Sequence, residues 1–116
     1  MSRAKNEENA RGEPAAPPRG LDAGRFPALA AFFRGYLHQD VAEEYGGAAA
    51  AARAFRRDAS PAEAAQAAAE WGSFAREVVA LSLAEIGRAM VERMGSGWAP
   101  ASRRDLERLG RALGGR

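Results

Sequence analysis

The chain has 116 residues, no cysteine, one histidine and a formal net charge of +2. These numbers exclude a disulfide scaffold, a thiol nucleophile and a metal site built from cysteines or several histidines, so no cofactor is expected. Alanine accounts for 29 residues, which leaves 25 large apolar side chains, enough for one small core. Because alanine favours helix and Val, Ile and Thr together number five, an all-α fold is expected.

The N-terminal segment, residues 1–25, is rich in Gly, Pro and charged residues, and Leu21 is its one large apolar side chain after Met1. Such a segment buries too little apolar surface to offset its ordering entropy. We therefore expect a disordered arm over residues 1–25, dispensable for stability, and one helical domain over residues 26–116. No apolar run resembles a secretion signal or a membrane span, so a cytoplasmic protein is expected.

The first two predicted helices lie on either side of Gly46-Gly47. The first begins at Pro27, where a proline costs no hydrogen bond, and ends near His38–Asp40. Its apolar stripe consists of Leu29, Phe32, Phe33 and Tyr36. The second is a short alanine-rich helix whose anchor is Phe55.

Three further helices follow, and two of them begin at capping boxes, Ser60-Pro61-Ala62-Glu63 and Ser82-Leu83-Ala84-Glu85. The third helix is predicted to bury Ala67, Trp71, Phe74 and Val78 and to expose Glu70 and Glu77. The fourth is predicted to bury Leu83, Ile86, Met90, Val91 and Met94 and to stop at Gly95-Ser96-Gly97. The fifth starts at Ser102 and buries Leu106, Leu109 and Leu113. The pattern predicts a compact bundle of about five short helices.

Two features resemble catalytic or ligand-binding motifs. His38 and Asp40 form the one pair suited to acid–base chemistry, but no nucleophile motif accompanies them. Placement of His38 near a helix C-terminus is the simpler interpretation. Gly95-Ser96-Gly97 could bind phosphate, but it follows a helix and lacks a P-loop lysine, so a helix stop is favoured. A non-enzymatic protein is expected.

Charge is distributed unevenly along the chain. Residues 26–102 carry seven basic and nine acidic side chains, whereas residues 103–116 carry five basic and two acidic ones. Arg104, Arg108 and Arg111 share the face of the last helix opposite its leucines. This arrangement is typical of a solvated amphipathic helix, and a small DNA-binding regulator that uses these arginines is the alternative function.

Acidic residues form two groups. Glu63, Glu70 and Glu77 are spaced seven residues apart along the third helix, and Asp40, Glu43 and Glu44 follow the first helix. A solvated face is one interpretation. The other is an electrostatic docking site for a basic partner, in which charge sets the rate and orientation of association.

Residues 26–47 resemble the helical immunity proteins of contact-dependent growth inhibition systems. The motif has an aromatic residue, a glycine, a Tyr-x-His-Gln-Asp core and a later Glu-Tyr-Gly. In this chain it consists of Phe33, Gly35, Tyr36, Leu37, His38, Gln39, Asp40, Glu44, Tyr45 and Gly46. The Ser60–Glu63 helix start and the Gly97-Trp98-Ala99-Pro100 loop extend the resemblance to most of residues 26–113.

The resemblance implies a protein that binds the C-terminal domain of a cognate toxin and protects the cell that produces it. Many such toxins are nucleases with basic substrate grooves, which acidic patches would fit, although a non-nuclease toxin is equally open. Because toxins vary, a shared motif is expected to maintain the fold rather than to contact the toxin. A monomer without membrane or nucleic-acid partners is expected.

Overall fold

The computed structural model describes residues 20–114, a range that contains six α-helices and no β-strand. The helices are α1 (Pro27–Tyr36), α2 (Val41–Tyr45), α3 (Ala48–Asp58), α4 (Pro61–Glu77), α5 (Leu83–Arg88) and α6 (Arg103–Ala112), and a π-helical segment, Ala89–Arg93, continues α5. The predicted all-α class is confirmed. Five of the six helices correspond to predicted ones, and α2 is additional.

Local capping determines where the last three helices begin. The Ser60 Oγ atom accepts the Glu63 amide N–H at 3.1 Å, and the Glu63 carboxylate accepts the Ser60 amide N–H at 3.0 Å. Ser82 and Glu85 repeat both hydrogen bonds, and Ser102 caps α6 with its hydroxyl. Each bond satisfies an amide that a helix start otherwise leaves unpaired. The starts predicted from the sequence are therefore confirmed.

The helix α1 ends at Tyr36, before the predicted end at His38–Asp40. The chain then turns and forms α2, which stops at Gly46, where the φ angle of 91° lies in the left-handed region that favours glycine. A helix of five residues carries too little periodicity to be predicted from the sequence.

The core is built around α1, which packs against α3 on one side and α4 on the other. The Phe32 ring lies 5.1 Å from Phe55 of α3, while Phe26 meets Phe74 of α4 edge-on at 5.8 Å. The largest fully buried side chains are Phe32, Phe33, Phe74, Leu21, Leu29, Leu37, Ile86, Met90, Met94, Leu109 and Leu113. Most of the predicted core is therefore confirmed.

The segment 20–25 packs on the domain, which differs from the arm expected over residues 1–25. Leu21 is buried in the core, and the Ala23 amide donates to the Arg93 carbonyl at 3.1 Å. The Arg25 guanidinium pairs with Glu77 of α4 and lies 4.9 Å from the centre of the Phe26 ring. A buried leucine, a backbone hydrogen bond and an ion pair thus connect the segment to the rest of the domain. The rest of the predicted arm, residues 1–19, lies outside the described residues.

The prediction that Val91 is buried is wrong, because its side chain is 43 % exposed. Val91 lies in the π-helical segment, whose wider turn changes the direction of the side chains relative to an α-helix. Met90 and Met94 occupy the buried face instead. The 100° periodicity on which the prediction relied does not hold in this segment.

Candidate functional site

The turn between α1 and α2 contains the His-Gln-Asp part of the motif. The Asp40 amide N–H donates to His38 Nδ1 at 3.2 Å, and His38 Nε2 lies 3.0 Å from Glu44 Oε1. Because Nδ1 is the acceptor, Nε2 carries the proton and donates to Glu44. The Asp40 backbone, not its carboxylate, contacts the imidazole. Thus His38 stabilises the start of α2, and both of its ring nitrogens are used within the fold.

The loop after the π-helical segment packs directly on this turn. The Gly97 amide donates to the Leu37 carbonyl at 2.6 Å, and a Cβ atom on Gly97 would lie 2.6 Å from the Gln39 nitrogen and 2.8 Å from the His38 carbonyl carbon. Contacts this short with backbone atoms leave room for glycine alone. The glycine loop and the His-Gln-Asp turn are therefore two halves of one packing contact.

The same loop is not built to bind phosphate. The Ser96 amide donates to the Met90 carbonyl at 2.9 Å, the Gly97 amide is bonded to Leu37, and the Trp98 amide donates to Ser96 Oγ at 3.0 Å. A phosphate cradle needs free amides that point at the anion. Since all three amides are bonded inside the protein, the helix-stop interpretation is supported and the phosphate alternative is not.

The phenol of Tyr36 joins the end of α1 to the end of α3. Its Oη donates to Asp58 Oδ2 at 2.7 Å, and its ring meets Phe55 edge-on at 5.6 Å. The hydrogen bond to the carboxylate, followed by burial, raises the pKa of Tyr36 to about 12. Burial and the neighbouring Glu44 also raise the pKa of Tyr45, whose ring lies 5.8 Å from that of Tyr36.

Two motif glycines differ in their surroundings. A side chain on Gly46 would be strained because of its left-handed backbone, whereas a Cβ atom on Gly35 would meet nothing within 4 Å. The space around Gly35 gives no reason for a glycine there. Phe33, by contrast, is fully buried in the core.

The predicted exposure of Glu70 is wrong: this residue is 7 % exposed and lies under the start of α1. Its Oε1 accepts the Leu29 amide N–H at 2.8 Å, and its Oε2 accepts the Gln66 side-chain amide at 2.8 Å. Phe26, the residue before α1, has no side chain that could cap the helix. Glu70 thus supplies from α4 the cap that α1 lacks, and its negative charge suits the positive end of the α1 dipole.

The other two members of the acidic line on α4 also have intramolecular partners. Glu63 accepts the Ser60 amide in the capping box, and Glu77 receives both nitrogens of the Arg25 fork. All three carboxylates of the line have a partner within the protein, but only Glu70 is buried, and Glu63 and Glu77 remain exposed.

The second acidic group remains exposed. We define the acidic cluster as Asp40, Glu43 and Glu44, at the start of α2. Asp40 and Glu43 make no side-chain hydrogen bond within residues 20–114, and Glu44 is 54 % exposed beside His38. The cluster therefore presents negative charge to solvent next to the motif turn.

The exposed arginines of α6 lie next to exposed arginines of α3. Arg108 and Arg111 line a depression together with Arg53 and Arg56 of the adjacent α3, and Arg104 lies one turn earlier on α6. All are exposed. We define the arginine groove as the depression formed by Arg53, Arg56, Arg108 and Arg111. The sequence indicated the α6 members of this groove but not their association with α3.

These features describe a small helical protein. Several of its motif residues make contacts within the fold, and its surface carries two charged patches of opposite sign. The model of the CdiI immunity protein family matches residues 25–107. The chain therefore belongs to the CdiI immunity protein family. Neither the curated proteins nor the solved structures yield a match. Within residues 20–114, no helix has the length and apolar character needed to cross a membrane.

Proposed function

We propose that this protein binds the C-terminal domain of a cognate contact-dependent growth inhibition toxin, neutralises it in the cytoplasm and so protects the producing cell. The observation that carries the proposal is the family match over residues 25–107. A binding role without catalysis is supported by His38, the one histidine of the chain, because both its ring nitrogens have partners in the fold.

The acidic cluster is proposed as one contact surface for the toxin. It is exposed, it lies on a single short helix, and its charge would steer a basic toxin groove towards it. Glu70 is not proposed for this role because it is buried. Glu63 and Glu77 are exposed on α4 and, like Glu44, each has a partner in the protein, so they are proposed only as a secondary contact. The contacts of Tyr36, His38 and Gly46 support a structural role for these motif residues.

Co-expression tests the proposed function. The chain is produced in a sensitive strain together with the C-terminal domain of a polymorphic toxin encoded immediately upstream, and growth and complex formation by size-exclusion chromatography with light scattering are measured. We expect restored growth and a complex containing one copy of this chain. Growth arrest without a complex would contradict the proposal. Salt-dependent binding to duplex DNA would instead favour the regulator that the α6 arginines suggest.

A further inference from the structure

The arginine groove concentrates positive charge that the described part of the protein does not neutralise. Within residues 20–114, none of its four guanidinium groups forms a salt bridge or a side-chain hydrogen bond. Three carboxylates lie close to these arginines in the sequence: Asp58 accepts the Tyr36 phenol, Asp105 accepts the Ala101 amide at 2.9 Å, and Glu107, one helical turn before Arg111, forms no salt bridge within residues 20–114. Within residues 20–114, the guanidinium donors therefore have no acceptor of their own.

The shape of the groove limits what the acceptor can be. Its lining consists of Arg53 and Arg56 on one helix, Arg108 and Arg111 on the other, and two small side chains, Ala49 and Ala112. Two pairs of planar donors beside small apolar side chains suit carboxylates presented on a protein surface, because an arginine fork binds a carboxylate through two parallel hydrogen bonds.

A nucleic acid fits the same groove less well. No aromatic ring lines it for base stacking. The neighbouring depression, which shares Arg53 and Arg108, contains Trp98 but also the Asp105 carboxylate, which would repel a phosphate backbone. The body of the chain, residues 26–102, is acidic overall, so the basic surface is local rather than sustained.

We propose that the arginine groove binds an acidic segment of the toxin domain. This inference rests on the proposed function and adds a second contact surface to it. The acidic cluster and the groove are separated by the Gly46-Gly47 turn, which borders the depression containing Arg53 and Arg108. A toxin domain with basic and acidic patches at matching separation engages both, and the opposite signs fix its orientation.

The test variant is Arg53→Glu with Arg108→Glu, and the control is Arg76→Glu with Arg93→Glu, two exposed arginines outside the groove with the same change in net charge. In the test variant, the new carboxylate at position 53 would lie one helical turn from Arg57, and the one at position 108 would lie one turn from Arg104. These new pairs of opposite charge oppose the repulsion that the two carboxylates meet from Asp105 in the shared depression. Thermal melts followed by circular dichroism verify folding. A third variant, Arg53→Lys with Arg108→Lys, keeps the charge and removes the fork.

Affinity for the purified toxin domain is measured by titration calorimetry at low and high salt. We expect the groove variant to bind at least about tenfold more weakly than wild type, the control to change less than about threefold, and the lysine variant to lie between them. If wild type binds and the groove variant binds equally well, the groove inference is wrong and the proposed function stands. If wild type does not bind, both fail. If a duplex DNA or an RNA oligonucleotide binds more tightly than the toxin domain does, the inference that the groove binds a protein segment is wrong.

Discussion

Glu70 shows how one side chain can complete a distant helix. Its carboxylate accepts the Leu29 amide although the two residues are 41 positions apart in the chain. A helical wheel places Glu70 beside Phe74, at the edge of the stripe that α4 buries, and its charge alone favours the exposed assignment. What the wheel cannot show is that the start of another helix packs on the same side, because periodicity reports a residue's chemistry and not its tertiary neighbours. The sequence therefore predicts exposure where the structure has burial.

Replacing Glu70 by alanine is expected to destabilise the protein by about 1–3 kcal/mol, because the buried Leu29 amide would lose its acceptor. Glu70→Gln retains an oxygen for this amide and should cost less. Urea denaturation followed by circular dichroism measures both. Equal losses for the two variants would indicate that the charge, not the hydrogen bond, is the important contribution.

The Tyr36–Asp58 contact predicts an alkaline transition. Tyr36 has its pKa raised to about 12, above the unfolded value of 10, so its neutral form is favoured in the folded state. Its contribution to stability is complete below pH 10 and is lost as the pH rises towards 12. In a Tyr45→Phe background, tyrosinate absorbance should report Tyr36 alone, with a midpoint near pH 12. The Asp58→Ala substitution should lower this midpoint, and an unchanged midpoint would contradict the assigned cause.

Among the helices and their connections, the sequence predicts those features that residues close together in the chain determine. The capping boxes at Ser60 and Ser82 each lie within four residues, and both helix starts are predicted correctly. The docked segment 20–25 depends instead on Leu21 and on the pairing of Arg25 with Glu77, 52 positions away. Such long-range contacts leave no local pattern, and neither does the packing of Gly97 on the His-Gln-Asp turn.

The Gly97 contact predicts opposite results for two glycines. Gly97→Ala should destabilise the protein by about 1–3 kcal/mol, because the added methyl group meets the backbone of residues 38 and 39. Gly35 lies within α1, and an added Cβ atom there would meet no other atom within 4 Å. Gly35→Ala should therefore stabilise the protein by about 0.5–1 kcal/mol. Thermal melts of the two variants check this. A Gly97→Ala protein as stable as wild type would show that the loop can move away from the turn.

Because segment 20–25 packs on the domain, its removal is expected to lower the melting temperature. Removing residues 1–25 should lower the melting temperature more than removing residues 1–19, because the longer deletion exposes the pocket of Leu21 and breaks the Arg25–Glu77 pair. The difference should exceed about 4 °C, which corresponds to roughly 1 kcal/mol in a domain of this size. Identical melting temperatures would mean that residues 20–25 add no stability.

At the scale of the whole molecule, charge is divided between surfaces of opposite sign. The sequence identifies both acidic groups and the α6 arginines, but it cannot sort exposed carboxylates from those with internal partners. That distinction depends on which segments pack together: Glu70 contacts α1 and Glu77 contacts segment 20–25, whereas Asp40 and Glu43 are exposed and make no side-chain hydrogen bond within residues 20–114.

Reversing one charge of the acidic cluster tests its proposed role. Glu43→Arg should slow association with the toxin domain severalfold at low salt and less at high salt, because screening shortens the range of electrostatic steering. Glu92→Arg, at an exposed position of the π-helical segment, is the control; it breaks the Arg88–Glu92 ion pair, so its folding is verified by a thermal melt, and it should leave the rate nearly unchanged. Stopped-flow fluorescence measures both rates, and equal slowing in the two variants would assign the effect to net charge.

The cap that Glu70 provides to α1 also has a consequence for the order of events during synthesis. At about 5–20 residues per second, a ribosome adds Glu70 roughly 2–8 s after Leu29. Throughout that interval the first helix lacks both its cap and the apolar face of α4, so Phe32 and Phe33 have no complete burial site. The first helix therefore cannot acquire its full set of contacts while the chain is shorter than 70 residues, and its final packing waits for α4 to be made.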